Sequence, residues 1–542
     1  MLRRCGIVDD DRCSACLRLQ EVQSKIRECK ELLKKLYIQE AHTKSSVNAV
    51  HDPIIRDLPL ELVSNILTLC NPSPVENDEE FGSSPPSAPL STWRYQFFLG
   101  TVCKAWRNII RSTPQLWTNI HIRFPTKRGE LQQKEFLLLS LQLSGSLPLH
   151  IQAWLQRGYR PSEGELFMLS SLVEILNNQS ERWKTLDLHL TAGLVSQFNG
   201  GASGMPTLKR LRIYFPGLPN EINEEFRVSF GLPSPQIVNA YRTSFSSIGI
   251  GWKDVTRVKI DMLTATECLG LFRLATQLVN LSIEFLECND FHVSNFGEIV
   301  TASNLASWEV EFSAHSDALL SKLVLPLLVD LQVRRLISSE SNTLAHLVAR
   351  SNCPLRKMSV SQALGVDLDV IPLLRVTPLL ETLVFSCATS GGIHELLDIL
   401  ACTKLLNDIS QDPNRIFLPH LENLSFLEVQ GGPPPCYLVP SLFPPPWHPA
   451  DARYRPLRRF EYRLFIWHDL KVSDYLDKDV VLQMREIQRR DFDLIIWSEG
   501  VKDVDLIQVS HDLHFGNPTS RGDHSGVEDG EEADEEGSNT SD

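Results

Sequence analysis

Residues 305–333, with the sequence LASWEVEFSAHSDALLSKLVLPLLVDLQV, contain two copies of the pattern that decides the fold. In each copy, two arbitrary positions separate a first apolar residue from a second, and one position separates the second from a third. The copies are Leu305/Trp308/Val310 and Leu328/Leu331/Val333. Because successive side chains of a strand point to opposite faces, the last two apolar positions predict a β-strand with one buried face.

The pattern continues on both sides of this stretch, over residues 183–465. Eight further copies are Trp183/Leu186/Leu188, Leu208/Leu211/Ile213, Val255/Val258/Ile260, Leu278/Leu281/Ile283, Leu355/Met358/Val360, Leu380/Leu383/Phe385, Leu421/Leu424/Phe426 and Leu457/Phe460/Tyr462. Between their middle residues, the ten copies are 25, 47, 23, 27, 23, 27, 25, 41 and 36 residues apart, so six of nine steps lie within 23–27. This period, with 47 close to two periods, is typical of leucine-rich repeats, in which a strand and a helix recur about every 20–29 residues.

Stretches with helical character lie between the predicted strands, at Thr264–Ala275, Asn342–Ser351 and Ile393–Ala401. A single strand–helix unit cannot bury its apolar face alone, so the core forms by stacking of neighbouring units. We therefore predict an irregular α/β repeat domain over 183–510, a leucine-rich-repeat-like horseshoe. Most copies lack the Asn or Cys that a regular repeat places after its strand. An ordinary α/β domain with coincidental spacing therefore stays an alternative.

In such a domain, the residues between the apolar positions point away from the core, onto the concave face of the sheet. The early strands place positive side chains there, and the middle strands place negative ones. The predicted target-binding residues are Arg210, Arg212, Arg257, Lys259, Glu284, Glu309 and Glu311. This surface suits a protein partner that is polar or of mixed charge. The alternative is a sheet face that is simply solvated.

An all-α unit is predicted over residues 53–117, followed by a connecting segment over 118–182. Residues 55–70, IRDLPLELVSNILTLC, predict a helix with Pro59 in its first turn, where the backbone nitrogen needs no helical partner. Residues 99–110, LGTVCKAWRNII, predict a second amphipathic helix, and residues 112–117, STPQLW, close the unit. Between the helices, Pro, Ser, Glu and Asp dominate residues 71–92, which predicts a flexible insertion.

These helical segments resemble the F-box family. The motif matches in order, as Leu58-Pro59-x-Glu61-Leu62 with Ile66, then Val102-Cys103-x-x-Trp106-Arg107, then Leu116-Trp117. The whole plan is similar to F-box proteins with degenerate leucine-rich repeats that are abundant in mushroom-forming basidiomycete fungi. The insertion of about twenty residues between the two helices departs from the compact F-box pattern.

The resemblance implies that the helical unit binds the Skp adaptor of a cullin-type ubiquitin ligase. The implied contact residues are Leu58, Pro59, Leu62, Ile66, Val102 and Trp106. Val102 and Trp106 also suit the core of the unit, whereas Leu58 and Pro59, at the start of the helix, suit partner contact best.

An N-terminal amphipathic helix is predicted over residues 17–42. Its apolar residues recur at alternating spacings of three and four, at Leu19, Val22, Ile26, Cys29, Leu33 and Leu36. This is the heptad seam of a coiled coil, but it spans fewer than about three heptads. Two interpretations stay open: a coiled coil with another helix, or a helix that packs against its own chain.

Composition and charge exclude several classes of protein. The formal net charge is −14, and residues 521–542 alone carry nine acids and one arginine, which predicts a disordered acidic tail over 511–542. The near-neutral remainder lacks the basic face of a nucleic-acid-binding protein. Signal-peptide and transmembrane patterns are absent as well. We expect a cytoplasmic or nuclear protein whose 12 cysteines are free thiols.

No catalytic motif stands out in the sequence, which contains no nucleophile elbow, no His-Glu-x-x-His pair and no phosphate loop. Cys13 and Cys16 lack a second close ligand pair, so we expect neither a metal nor a cofactor. The predicted function is a non-enzymatic substrate receptor of a Skp–cullin–F-box ubiquitin ligase. It binds the Skp adaptor, through it a cullin, and a target protein. The alternatives are a non-degradative leucine-rich-repeat scaffold and a hydrolase or transferase on an α/β fold.

Overall fold

The computed structural model describes residues 14–51, 53–71, 95–124, 130–156, 159, 161–200, 207–215, 226–228, 231–288, 298–312, 316–336, 338–361, 370–387, 390–402, 417–429, 435–444, 455–466, 475–490, 492–500 and 503–516. The predicted insertion after Asn71 and most of the predicted acidic tail lie outside the described residues, as do Cys5 and Cys13. Contacts divide the chain into two compact units. Unit 1 comprises residues 1–263 and 270–278, and unit 2 comprises residues 264–269 and 279–542.

Unit 1 begins with a long helix, α1 (Ser14–His51), which extends beyond the predicted 17–42 at both ends. All six predicted seam residues on α1 are exposed. The helix touches two short elements that follow it, α2 (Pro53–Asp57) and α5 (Lys104–Arg111). The seam therefore does not pack against the described part of the chain, and the coiled-coil interpretation stays a prediction.

A small helical cluster follows α1. It contains α2, α3 (Leu60–Leu69), α4 (Tyr95–Gly100), α5 and a 3-10 turn at Pro114–Trp117. Its core consists of Val63, Leu67, Leu99, Ile109, Ile110, Leu116 and Trp117. The indole Nε1 of Trp117 donates to the carbonyl oxygen of Ile110 at 2.8 Å, which fixes the turn under α5.

The rest of unit 1 is built on parallel strands: β1 (Asn119–Phe124), β2 (Leu149–Leu155), β3 (Trp183–His189), β4 (Arg210–Tyr214), β5 (Phe226–Arg227), β6 (Ile237–Tyr241), β7 (Ile248–Gly249) and β8 (Arg257–Thr264). Six of them pair in the order β1-β2-β3-β4-β6-β8, and β5 pairs separately with β7. The connections carry α6 (Glu130–Leu143), α7 (Glu163–Asn177) and α8 (Ala192–Val195), and α9 (Ala265–Leu274) follows β8. Each main strand therefore lies beside the strands that precede and follow it along the chain.

Unit 2 repeats this plan with β9 (Asn280–Glu287), β10 (Val300–Thr301), β11 (Ser307–Phe312), β12 (Leu323–Val324), β13 (Asp330–Arg334), β14 (Lys357–Ser361), β15 (Thr382–Ser386), β16 (Asn423–Val429), β17 (Arg459–Ile466), β18 (Asp493–Gly500) and β19 (Val504–Asp505). The order is β9-β11-β13-β14-β15-β16-β17-β18-β19, parallel except for the last pair, and β10 pairs with β12. The helices are α10 (Asp317–Ser321), α11 (Ser338–Ser351), α12 (Ile371–Arg375), α13 (Ser390–Cys402), α14 (Lys478–Arg489) and α15 (Leu506–Phe515).

The ten apolar triplets of the sequence fall on ten of these strands. In each triplet, the first residue precedes the strand or opens it, and all thirty side chains (ten times three) are at most 5% exposed. The long step of 47 contains β6, whose Val238 and Ala240 are equally buried. An N-terminal helix followed by a largely parallel α/β architecture is therefore confirmed.

One boundary differs from the prediction. The acidic tail was predicted from residue 511, but α15 continues to Phe515 because Asp505 caps its first turn and its Ser510 hydroxyl accepts from the amide of Leu476 at 2.9 Å. A 3-10 turn, Val439–Leu442, lies between β16 and β17, and its Val439 and Leu442 side chains are buried. None of the described helices is long and apolar enough to cross a membrane.

We predict that Leu331→Ala destabilises unit 2 far more than Leu327→Ala does. Leu331 is fully buried in β13, whereas Leu327 is 50% exposed. Truncation of a buried leucine typically lowers the free energy of unfolding by about 2–5 kcal/mol, and an exposed substitution changes it by about 0.5 kcal/mol or less. Urea unfolding of both variants, followed by circular dichroism, measures the difference. Equal midpoints would contradict the position of Leu331 in the core.

Candidate functional site

The first candidate surface is an apolar stripe on α3. Leu62, Ile66 and Leu69 follow one another at spacings of four and three, so they share one face of the helix. Their side chains are 48%, 39% and 85% exposed, whereas the neighbouring Val63 and Leu67 are buried in the helical core. The helix therefore packs one apolar stripe against the helical core and leaves a second apolar stripe exposed to solvent.

The remaining predicted adaptor contacts divide into two groups. Pro59 and Val102 are exposed, Val102 by 41%, although its residue type also suited the core. Leu58 and Trp106 are half-buried and pack against the helical core. Sequence reasoning missed Phe98 on α4, which is 71% exposed. The apolar run Phe97-Phe98-Leu99 was the available signal, because one short helix cannot bury all three.

The second candidate surface lies on the strands of unit 1, on the side opposite the buried triplets, and we call it the outer face. Strand register places its side chains in three rows, about 4.8 Å apart from strand to strand. The first row is Asn119, His150, Thr185, Arg210, Ile237 and Arg257. The middle row is His121, Gln152, Asp187, Arg212, Asn239 and Lys259, and the last row is Arg123, Trp154, His189, Tyr214 and Tyr241.

Asp187 is the centre of the middle row. Its carboxylate oxygens contact His189 Nε2 at 2.9 Å, Arg212 NH1 at 3.4 Å and Gln152 Nε2 at 3.4 Å. Burial favours protonation of Asp187, but the hydrogen bond with His189 and the charge of Arg212 outweigh it and lower the pKa of the carboxyl. Asp187 is therefore buried and ionised, and its contacts fix the side chains of His189, Arg212 and Gln152.

Two histidines of the outer face are held neutral. Burial, with the nearby charge of Arg123, lowers the pKa of His121 to about 4. Burial, with the charges of Lys184 and Arg210, likewise lowers the pKa of His150 to about 4. The Nδ1 atom of His150 lies 2.9 Å from the hydroxyl oxygen of Thr185. The ring is therefore oriented by a neutral partner.

The last row is a stack of aromatic rings. Ring centroids of Trp154 and His189 are 4.4 Å apart, those of His189 and Tyr214 are 5.1 Å apart, and those of Tyr214 and Tyr241 are 4.9 Å apart. Arg123 lies over the Trp154 ring at 5.4 Å, and Arg242 over the Tyr241 ring at 5.7 Å. Stacked faces and cation–π contacts at both ends make this row a rigid edge of the surface.

A cavity of about 500 Å³ opens at the other edge of the outer face, beside the first row. One wall comes from the helical cluster and the residues after it, with Thr68, Asn71, Gln115 and Thr118. The other wall comes from the strands and the residues that enter them. Its charged members are Lys184, Asp187, Lys209, Arg210 and Arg212. Four cationic side chains and one carboxylate give this cavity a formal charge of +3.

The structure brings together part of the predicted target-binding set. Arg210 lines the cavity, Arg212 is largely buried beside Asp187, Arg257 is exposed at the end of the first row, and Lys259 is half-buried at the end of the middle row. Sequence reasoning missed Lys184, Lys209, His150 and the aromatic row. The signal for the row was present, since a ring residue directly follows a buried residue on β2, β3, β4 and β6, four neighbouring strands of the sheet.

The acidic residues predicted on the middle strands belong to unit 2. Glu309 forms an ion pair with Arg334 and accepts a hydrogen bond from Ser282 at 2.8 Å, and Glu311 pairs with Arg335 at 3.2 Å. Glu284 is half-buried on β9. Arg334 and Arg335 therefore balance the charges of Glu309 and Glu311 on this strand face, and the role of these glutamates in target binding stays a prediction.

Within the part of the chain that the structure describes, no group of three or more His, Cys, Asp or Glu side chains could hold a metal ion. His189 is oriented by Asp187 as a general base would be, but among the described contacts its Nδ1 meets no hydroxyl or thiol.

No protein-family model matches the sequence, and no curated protein matches it with significance.

We predict that unit 1 loses stability as the pH falls from about 6.5 to about 4, and that His150→Gln reduces this loss. An unfolded chain titrates its histidines near pH 6.5, whereas folding lowers the pKa of His150 to about 4. Between these values the unfolded state binds more protons, so protonation favours unfolding. Urea midpoints at about pH 7.5 and about pH 5 measure the effect. The exposed His394→Gln is the control, and equal pH dependence in both variants would contradict it.

Proposed function

We propose that this protein is a substrate receptor of a Skp–cullin–F-box ubiquitin ligase. The observation that carries the proposal is the exposed stripe of Leu62, Ile66 and Leu69 on α3, in a helical cluster whose motif residues resemble those of the F-box in their order. Single exposed leucines are common in proteins, but a contiguous apolar surface marks an interaction site. Pro59, Val102 and Phe98 add apolar area on the same small cluster.

The proposed contact with the adaptor uses Pro59, Leu62, Ile66 and Val102 as surface anchors. Leu58 and Trp106, which pack against the helical core, support these anchors from behind. This division assigns direct binding to the exposed residues and positioning to the half-buried ones. It also explains why one motif needs both kinds of apolar residue: the stripe must be presented by a helix that is itself fixed.

The strands downstream, which we propose to be degenerate leucine-rich repeats, provide the surface for the target protein. In unit 1 this is the outer face, with its exposed Arg257, its half-buried Lys259 and its aromatic row. The proposed mechanism is proximity, because binding raises the concentration of the target near a ubiquitin-carrying enzyme held elsewhere in the assembly. The chain contributes binding surfaces and no reactive group, in the cytoplasm or nucleus.

We predict that Leu62→Ala with Ile66→Ala abolishes co-purification of the full chain with a co-expressed Skp adaptor. Truncation of a central anchor costs about 2 kcal/mol or more of binding free energy. Two truncations therefore raise the Kd of a micromolar complex roughly a thousandfold. The matched control is Leu274→Ala with Leu327→Ala, two leucines that are 53% and 50% exposed outside the helical cluster. The control variant should bind as the wild type does.

Failure of the wild-type chain to bind the adaptor, with both proteins folded, would refute the adaptor role. If the adaptor binds but a captured partner does not accumulate when cellular cullin ligases are blocked, the chain acts as a non-degradative scaffold. These two results separate the recruitment step from its consequence.

We predict that Arg257→Glu with Lys259→Glu changes which proteins the chain captures but leaves the adaptor bound. Arg257 is exposed and Lys259 half-buried on the outer face, so reversal of their charge alters electrostatic complementarity. Arg212 is unsuitable because its reversal would place a second carboxylate beside the buried Asp187. Mass spectrometry of proteins captured while cullin ligases are blocked makes the comparison, with the exposed Lys253→Glu as control. An unchanged set of proteins would contradict a target-binding role for this part of the face.

A further inference from the structure

We propose that the cavity of unit 1, between the helical cluster and the first row of the outer face, binds a small polyanion that carries several phosphate groups. This inference goes beyond adaptor and target binding and does not depend on either. The cavity measures about 500 Å³, within the range of about 300–1,000 Å³ that small-molecule sites occupy. A single inorganic phosphate would fill only part of it.

The charge of the cavity is opposite to that of the chain. Its lining carries two lysines, two arginines and one aspartate, a formal charge of +3, whereas the whole chain carries −14. The carboxylate of Asp187 is already engaged by His189 and Arg212. The positive charges of Lys184 and Lys209 therefore border the space that a ligand would enter.

The two lysines are held side by side by the backbone. The amide of Lys209 donates to the carbonyl oxygen of Lys184 at 2.8 Å, at the entrance to strands β3 and β4. Neighbouring strands are about 4.8 Å apart, and like charges that face each other across strands are destabilising. Among the described residues, no carboxylate lies within 4 Å of either ammonium group. An anion between them removes this repulsion.

The neutral part of the lining also suits phosphate oxygens. Asn71 and Gln115 on the helical side, and Gln152 and Gln236 on the strand side, offer amide hydrogens to acceptor oxygens. Apolar side chains are few, with Leu186 and Ile237, and the ring in the described lining is the polar imidazole of His150. Lysine and arginine side chains commonly bind phosphate oxygens through charge-assisted hydrogen bonds, and amide donors add further hydrogen bonds.

His150 belongs to the same lining and lies close to the same cationic side chains. The charges of Lys184 and Arg210, after burial, help to lower the pKa of His150, so the ring remains neutral among its cationic neighbours. Residues of the helical cluster and residues of the strands line the cavity together.

The test is calorimetric titration of the full chain with inorganic tripolyphosphate at fixed ionic strength. We expect saturable binding at one site and an affinity roughly tenfold weaker or more for Lys184→Gln with Lys209→Gln. The matched control is Lys104→Gln with Lys253→Gln, two exposed lysines outside the cavity. It changes the net charge of the chain by the same two units. The control should retain wild-type affinity, and circular dichroism checks that both variants are folded.

Three results would overturn the proposal. The first is the absence of tripolyphosphate binding to the folded wild type. The second is equal weakening in both double variants, which would mean diffuse attraction to surface charge. The third is binding of a phosphoserine peptide at this site without binding of tripolyphosphate. Because no adaptor is present in the titration, any of these leaves the adaptor proposal to its own experiment.

Discussion

The fold of each unit depends on one constraint, which is that every main strand must bury its apolar side chains and pair its backbone at the same time. A strand with the triplet pattern has only one apolar face, so it cannot form a core alone. Parallel pairing with the next strand along the chain satisfies both needs, because it aligns buried residues into continuous layers. Leu331, Met358 and Leu383 are register partners in this way on β13, β14 and β15.

The same register creates the functional surface. When the buried positions align across strands, the positions between them align as well, because one strand register fixes both sets. In unit 1 this brings Asp187 beside Arg212 and stacks His189 on Tyr214. The rows of the outer face are therefore a geometric consequence of core packing. The residue types in these rows differ from strand to strand while the buried layers stay apolar, which suits a surface for binding.

The charged residues on the strands form different sets of ion pairs in the two units. In unit 2, Glu461 accepts from both Arg459 and Arg463, and Glu309 pairs with Arg334, so charged residues there largely satisfy one another. In unit 1, Lys184 and Lys209 stand together beside a cavity. Surface ion pairs contribute about 0–1 kcal/mol each to stability. Because the two charges of a pair largely cancel, such pairs attract a charged ligand only weakly. Lys184 and Lys209, by contrast, meet no carboxylate among the described residues, and this difference is the reason that the anion site is assigned to unit 1.

The sequence by itself determined the strands, the helix that precedes them and the mixed α/β class, because these follow from periodicity along the chain. Ten buried triplets, α1 and the apolar stripe of Leu62 and Ile66 could all be located from residue spacing. Only the tertiary structure decided which charges meet. The pairing of Glu309 with Arg334 joins residues 25 positions apart, and the cavity joins Thr68 to Lys209. Such contacts depend on strand register and on the depth of burial, and neither is fixed by the local pattern of apolar residues.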